Sequence, residues 1–264
     1  MDERQRTRLV GFLIALMVLA VGWNLLGKMR SEPVAATVSV ATAPTPAPPP
    51  PPPRQSQAGT RIAAPPVDPS YLEQVARADI RRRIRASSSL TYLNEIVAAS
   101  SDSMLHRWDN RIARPVRVSI GAGALANYQP AFLDAIRAAF RQWEGAGVPV
   151  RFDLTADSVE AEVRFVWRIQ FEIDRTGQTN LEWDREGHLR SGVVSIATFD
   201  PRGQPLGPND VRVVALHEIG HLIGLDHSPD STDIMFAKAA VRDLSERDIR
   251  TARLLYELAP GSIR

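Results

Sequence analysis

The chain has 264 residues, a formal net charge of +2 and no cysteine. This charge is too small to indicate a nucleic-acid partner, and the lack of cysteine excludes disulfides, thiolate metal sites and a cysteine nucleophile. Twelve of the 20 prolines lie between Pro33 and Pro69, and the chain after that stretch has the size of one ordinary domain.

Residues 9–27 form an apolar run that Asn24 alone interrupts. A run of 19 residues is long enough to span a bilayer as a helix, and the arginines before it favour a cytoplasmic N-terminus. A cleaved signal peptide is the alternative, but its apolar core usually has about 7–15 residues and ends close to the cleavage site. We therefore predict that residues 1–30 form a single-pass transmembrane anchor. Under either interpretation the rest of the chain lies outside the cytoplasm, in the periplasm or the extracellular space.

Residues 31–69 are predicted to be a disordered, proline-rich linker, because their Ala, Thr, Val and Pro content offers no periodic apolar face. Residues 70–101 follow as a helical, arginine-rich segment. In this segment Ile80 and Ile84 belong to an apolar stripe that predicts a first helix, and Leu93 and Ile96 predict a second. The arginines would form a solvated helix face, or they would contact acidic headgroups or a partner. The sequence leaves open whether this segment inhibits, docks or only packs.

From residue 114 onwards the pattern changes to α/β. Alternating apolar residues predict strands near residues 116–120, 148–154, 163–169, 178–184 and 189–199. An apolar stripe from Phe132 to Trp143 predicts a helix that ends near Gly145. A later helix is predicted to begin near Pro208, a favoured first-turn residue, and the last one after Ser245, a favoured N-cap.

The stretch from His217 to His227 has the pattern H-E-x-x-H-x-x-G-x-x-H. His217 and His221 project from one face of a helix because they are four residues apart, and two imidazoles so placed can bind one zinc ion. Gly224 allows the chain to leave the helix with a positive φ, which returns His227 as a third ligand. Glu218 lies beside the first ligand, where its carboxylate can face a metal-bound water rather than the metal. Three of only five histidines fall at this spacing, which argues against a helix whose histidines serve packing alone.

This motif resembles that of the metzincin metallopeptidases. Met235 lies eight residues after His227, as in their methionine turn, and Ser228 together with residues 244–249 resembles the matrixin branch (peptidase family M10). The resemblance implies an α/β (α+β) zincin fold in residues 102–264, with a twisted, mostly parallel five-stranded sheet, an active-site helix and a C-terminal helix. It also implies that Met235 forms an apolar floor beneath the histidines and that an antiparallel edge strand, near residues 178–184, pairs with the peptide substrate. Arg247 departs from the pattern, since matrixins usually have an aspartate there.

We predict a membrane-anchored zinc endopeptidase in which His217, His221 and His227 bind one catalytic zinc ion and Glu218 is the general base. Calcium is usual in the family, but the sequence does not place its ligands, and the histidine cluster of a second, structural zinc is missing. The expected partners are a protein or peptide substrate and, through residues 9–27, a membrane. Substrate specificity and oligomeric state do not follow from the sequence. Two alternatives remain open: a binding module that keeps zinc for stability, and a zinc hydrolase of cell-wall peptide crosslinks.

Overall fold

The computed structural model describes residues 69–238 and 241–264. Within them the chain forms five helices and seven strands: α1 (Pro69–Ala86), α2 (Leu93–Ala99), β1 (Met104–Leu105), β2 (Arg111–Ile120), α3 (Ala131–Gly145), β3 (Val150–Asp153), β4 (Val163–Arg168), β5 (Gly177–Trp183), β6 (Leu189–Ala197), α4 (Pro208–Leu222), α5 (Glu246–Glu257) and β7 (Gly261–Ser262). The predicted anchor, and all but the last residue of the predicted linker, lie outside the described residues. No helix in the described ranges combines the length and the apolar character that crossing a membrane requires.

Five of the strands form one sheet in the order β3-β2-β4-β6-β5. β2 is parallel to β3 and β4, and β4 is parallel to β6. β5 runs antiparallel to β6 and forms one edge of the sheet. The predicted α/β fold with a mostly parallel five-stranded sheet is therefore confirmed, and the antiparallel strand expected near residues 178–184 is present as β5.

The core between the sheet and the helices fixes the position of α4. The stripe from Phe132 to Trp143 is buried, as predicted, and α3 packs against α4. The indole Nε1 of Trp143 donates a hydrogen bond to the carbonyl oxygen of Leu216 in α4 at 2.7 Å. On its other side α4 contacts β5 and β6. The helix that carries the histidine motif is thus held between another helix and the antiparallel edge of the sheet.

The two predicted helices before the sheet are present, and they pack onto the same core. Ile84 of α1 is buried in it, as are Leu93 and Ile96 of α2 and Tyr92, the residue directly before α2. Two arginines of α1 contact the end of the chain, since Arg77 donates to the carbonyl oxygen of Arg264 at 3.0 Å and Arg81 to that of Ile263 at 2.5 Å. These two guanidinium groups therefore form hydrogen bonds within the chain. The sequence had left open whether the arginines of this segment face solvent, acidic headgroups or a partner.

Candidate metal centre and cleft

Helix α4 begins and ends where the sequence provides start and stop signals. Pro208 occupies the first turn, and the carboxylate of Asp210 accepts a hydrogen bond from the Gly207 amide at 3.1 Å, which satisfies an amide that the helix itself leaves unpaired. The helix ends at Leu222, and Gly224 follows with φ +101°. A Cβ atom at this glycine would overlap the backbone carbonyl oxygen of His106. Gly224 is therefore required by its conformation and by the close backbone, and the turn directs the chain back to the helix.

The turn brings three histidines together. His217, His221 and His227 each offer a ring nitrogen, and these three atoms lie within 4.8 Å of one another. The Nε2 atoms of His217 and His221 are 3.2 Å apart. Two ligands of a tetrahedral zinc ion with bonds of about 2.0–2.1 Å are separated by about 3.3–3.4 Å, which agrees with this distance.

Backbone carbonyls fix which nitrogen of two of these rings carries the hydrogen. Nδ1 of His217 lies 2.7 Å from the carbonyl oxygen of Ile234, and Nδ1 of His221 lies 2.9 Å from that of Leu225. A carbonyl oxygen can only accept, so we assign the hydrogen to Nδ1 in both rings, and the lone pair to Nε2. Carbonyl partners of this kind are what orient metal-binding histidines.

Burial disfavours a second proton on either of these rings. It lowers the pKa of His217, and together with the nearby His217 ring it lowers the pKa of His221 to about 3. Two Nε2 lone pairs then face each other at 3.2 Å with no proton between them, an arrangement that a cation stabilises. The residues present fit a zinc ion. His227, whose side chain is 47% exposed, would complete the set from the solvent side.

Met235, for which the resemblance implies a place beneath the histidines, is fully buried. Its side chain packs against Gly220, which lies in α4 between the first two histidines. A Cβ atom at Gly220 would overlap the Met235 sulfur and lie 3.1 Å from Cζ2 of Trp143. A side chain at this helical position would therefore have to displace Met235, which gives a packing reason for a glycine here although glycine is a poor helix former.

Glu218 is buried and is held by the edge strand β5. Its Oε2 accepts a hydrogen bond from the Thr179 hydroxyl at 2.6 Å. The Gly177 backbone lies against the same side chain, since a Cβ atom at Gly177 would lie 2.7 Å from the Glu218 Cγ and would overlap its Oε1. Burial raises the pKa of Glu218 to about 7, and the Thr179 hydrogen bond and the charge of Arg175 partly oppose this shift. A carboxyl group with this pKa can accept and return a proton near neutral pH.

The histidines and Glu218 face one cleft with a volume of about 1180 Å³. β5 residues 177–181 line it, and β5 is the last strand of the sheet among the described residues. An edge strand beside a cleft can add an extended peptide as a further strand. Lys238 and Asp174 also line the cleft and form an exposed ion pair at 2.8 Å.

The remaining two histidines lie apart from the triad. His106 Nε2 is 3.3 Å from a carboxylate oxygen of Asp102, and His188 lies 3.1 Å from Asp109 and 3.4 Å from Asp184. Across residues 69–238 and 241–264, the triad is the one group of three or more His, Asp or Glu side chains close enough to share an ion. No cluster of carboxylates among these described residues supports the calcium ion that the resemblance suggests.

Sequence reasoning missed three residues that support the site but are not fixed positions of the motif. Thr179 was one position of an alternating strand, and Gly177 lay just before it. Gly220 is a variable position of the motif. Its one visible signal is that a glycine in the middle of a helix costs about 1 kcal/mol of stability relative to alanine, so that its presence there suggests a packing reason.

Comparison with known proteins places the chain in a family. A family model described as matrixin matches residues 124–257. The chain is 29% identical over 143 residues to metalloendoproteinase 1 of Glycine max, which covers 49% of this chain and 47% of that protein. It is 43% identical over 127 residues to the probable matrix metalloproteinase 095L of Invertebrate iridescent virus 3, which covers 40% of this chain and 32% of that protein. The chain thus spans less than half the length of either relative. Because the family model covers just over half of this chain, including β3 to β6 and both helices that follow them, the chain belongs to the matrixin family.

Proposed function

We propose that this chain is a zinc-dependent endopeptidase, anchored in a membrane by residues 1–30 and active outside the cytoplasm. The observation that carries the activity is the position of the Glu218 carboxyl beside three convergent histidine nitrogens, in an open cleft along an edge strand. The names of both relatives, a metalloendoproteinase and a probable matrix metalloproteinase, support the same activity. The apolar run of 19 residues at positions 9–27 supports the anchor.

Each side chain of the site has a different role in the proposed peptide hydrolysis. His217, His221 and His227 would hold the zinc ion, which when bound lowers the pKa of a water ligand and polarises a carbonyl group. Glu218 accepts the proton of the attacking water and passes it to the leaving amine. The Thr179 hydroxyl keeps the Glu218 carboxylate turned towards β5, and Met235 closes the floor beneath the rings without binding the metal.

The substrate class that the cleft favours is an extended peptide. The outer edge of β5 offers backbone donors and acceptors to a further strand, so main-chain hydrogen bonds would supply affinity independently of the substrate sequence. Such binding places a backbone carbonyl of the peptide beside Glu218, because Gly177 and Thr179 of the same strand contact that carboxyl group.

Activity is tested with the full-length zinc-loaded chain, casein and a random peptide library, each with and without a zinc chelator. We expect cleavage at internal peptide bonds that the chelator abolishes and that Glu218→Gln lacks. Stoichiometric zinc binding without cleavage of any peptide would overturn the proposal in favour of a binding module or a hydrolase of cell-wall crosslinks.

The anchor is tested separately by membrane fractionation of cells that express the full chain or a chain without residues 1–30. The full chain should stay in the membrane fraction at alkaline pH, with its C-terminal part accessible to added protease from outside the cytoplasm. The truncated chain should be released. Release of the full chain under the same conditions would contradict an uncleaved anchor.

A further inference from the structure

A buried carboxylate behind the metal centre connects the helix α5 to the methionine turn. Asp248 in the first turn of α5 is fully buried. Its Oδ2 accepts hydrogen bonds from the backbone amides of Ser245 at 2.8 Å and Ile234 at 2.9 Å. A buried carboxylate is costly unless donors surround it, so the turn that carries Ile234 and Met235 is held firmly to this side chain.

Ile234 links this carboxylate to a candidate zinc ligand. Its amide donates to Asp248, while its carbonyl oxygen lies 2.7 Å from Nδ1 of His217. A displacement of Asp248 would therefore move the peptide that orients the His217 ring. Partners of this kind are important for metal sites, since their loss typically weakens metal binding about 10–100-fold.

The other oxygen of Asp248 accepts hydrogen bonds from the Met235 amide at 3.4 Å and from a residue far away in the sequence. The Tyr92 hydroxyl donates to Asp248 Oδ1 at 2.9 Å, across 156 positions of the chain. Tyr92 is fully buried, and burial together with the nearby Asp248 carboxylate raises the pKa of its hydroxyl, which therefore remains a donor. Its backbone amide also donates to the Thr251 hydroxyl of α5 at 3.1 Å.

We propose that Tyr92 is a positioning residue for the candidate zinc ligand His217, and that the helical segment of residues 69–99 is consequently a permanent part of the metal site. Three hydrogen bonds, of 2.9, 2.9 and 2.7 Å, lead from the Tyr92 hydroxyl through Asp248 and Ile234 to the ring. This assigns a role to a segment whose sequence left inhibition, docking and packing open. The inference rests on the zinc site of the proposed function but not on peptide hydrolysis.

The first test is Tyr92→Phe in the full-length chain, with zinc affinity measured by chelator competition. The variant keeps the ring and deletes one hydroxyl. Because Tyr92 is two hydrogen bonds farther from the ring than Ile234, we expect zinc affinity to fall about 3–10-fold, below the range for a direct partner. No peptidase substrate is needed, so a failure here is distinct from a failure of the proposed activity.

The matched control is Tyr256→Phe. Tyr256 is also buried, and its hydroxyl donates to the carbonyl oxygen of Ile223 at 3.0 Å, whereas the rings of His217 and His221 face the carbonyls of Ile234 and Leu225. Both variants lose one buried tyrosine hydroxyl, and both should lower the urea midpoint of unfolding. Zinc affinity should change less than twofold in Tyr256→Phe. Equal zinc affinities in the two variants would overturn the role of Tyr92.

A second measurement uses the unsubstituted chain and does not depend on the folding of a variant. Because coupling between two sites is reciprocal, removal of zinc should loosen the Tyr92 contact. Amides of residues 92–99 should then exchange hydrogen faster, as should that of Ile234, while β3 at the far edge of the sheet is unchanged. Faster exchange in α4 with unchanged exchange in residues 92–99 would contradict the proposal.

Discussion

Replacement of Gly220 by alanine tests whether the packing beneath the histidines is as close as the structure indicates. Alanine normally stabilises a helix interior by about 0.5–1 kcal/mol relative to glycine. Here the added Cβ would overlap the Met235 sulfur and lie 3.1 Å from Trp143, and both side chains are fully buried. Overpacking of this kind typically costs about 1–3 kcal/mol. The two effects leave a net destabilisation of about 0–2.5 kcal/mol for Gly220→Ala.

Gly145→Ala is the control with the opposite expected sign. Gly145 is the last residue of α3, and a Cβ atom there would meet no heavy atom within 4 Å. This variant should gain up to about 0.5–1 kcal/mol. Urea unfolding of the zinc-free chain measures both, and zinc affinity should fall in Gly220→Ala alone, because movement of Met235 displaces the adjacent Ile234. The reasoning is refuted if Gly220→Ala is as stable as Gly145→Ala and binds zinc normally.

Four further predictions concern the base and the core. Glu218→Gln should keep its zinc and lose about 10²–10⁴-fold in kcat; retained zinc with near-normal turnover would exclude Glu218 as the general base. Thr179→Val removes a hydrogen bond that lowers the pKa of Glu218, so the acid limb of the kcat/KM profile should move to higher pH, and an unmoved limb would contradict the contact. In the zinc-free chain, burial raises the pKa of Glu218 from its ordinary 4.5 to about 7. The folded state therefore binds this proton more tightly than the unfolded state does. The free energy of unfolding should decrease as the pH rises from about 4.5 to 7. Urea unfolding should show that Glu218→Gln lacks this component of the pH dependence; parallel pH profiles for the parent and the variant would refute it. Leu93→Ala should lower the free energy of unfolding by about 2–5 kcal/mol, because Leu93 is fully buried. The control Leu72→Ala should lower it by less than about 0.5 kcal/mol, because Leu72 is 56% exposed. Equal unfolding midpoints would exclude the packing of α2 described above.

The elements that the sequence predicted are those with a local cause. The spacing of His217 and His221 depends on one helical turn, and Gly224 depends on a backbone angle, so both can be inferred from neighbouring residues. The strands were predicted because half-buried strands alternate, and α3 because its stripe from Phe132 to Trp143 is buried. The mostly parallel five-stranded sheet and the antiparallel direction of β5 followed from the family resemblance rather than from these patterns, and the order of the strands was not predicted.

The features that were missed depend on contacts between distant parts of the chain. Thr179 and Glu218 are 39 positions apart, and no local pattern distinguishes this threonine from the other residues of its strand. The pairing of β1 with β7 joins Met104 and Leu105 to the C-terminal end, and a two-residue strand is too short to show a period. Arg247 departs from the family pattern, and only the structure shows that it pairs with Asp230 at 3.1 Å.

His217 and Glu218 are adjacent in the sequence but are supported from different directions. Successive residues of an α-helix are rotated by about 100°, so the His217 ring turns to the carbonyl of Ile234 while the Glu218 carboxyl turns to Thr179 in β5. The metal ligand and the base therefore have separate supports. It follows that Thr179→Val should shift the pH profile without weakening zinc binding, whereas Tyr92→Phe should weaken zinc binding without shifting the pH profile. If each variant changed both properties, α4 would be responding as one rigid body, and separate supports for the two groups would be ruled out.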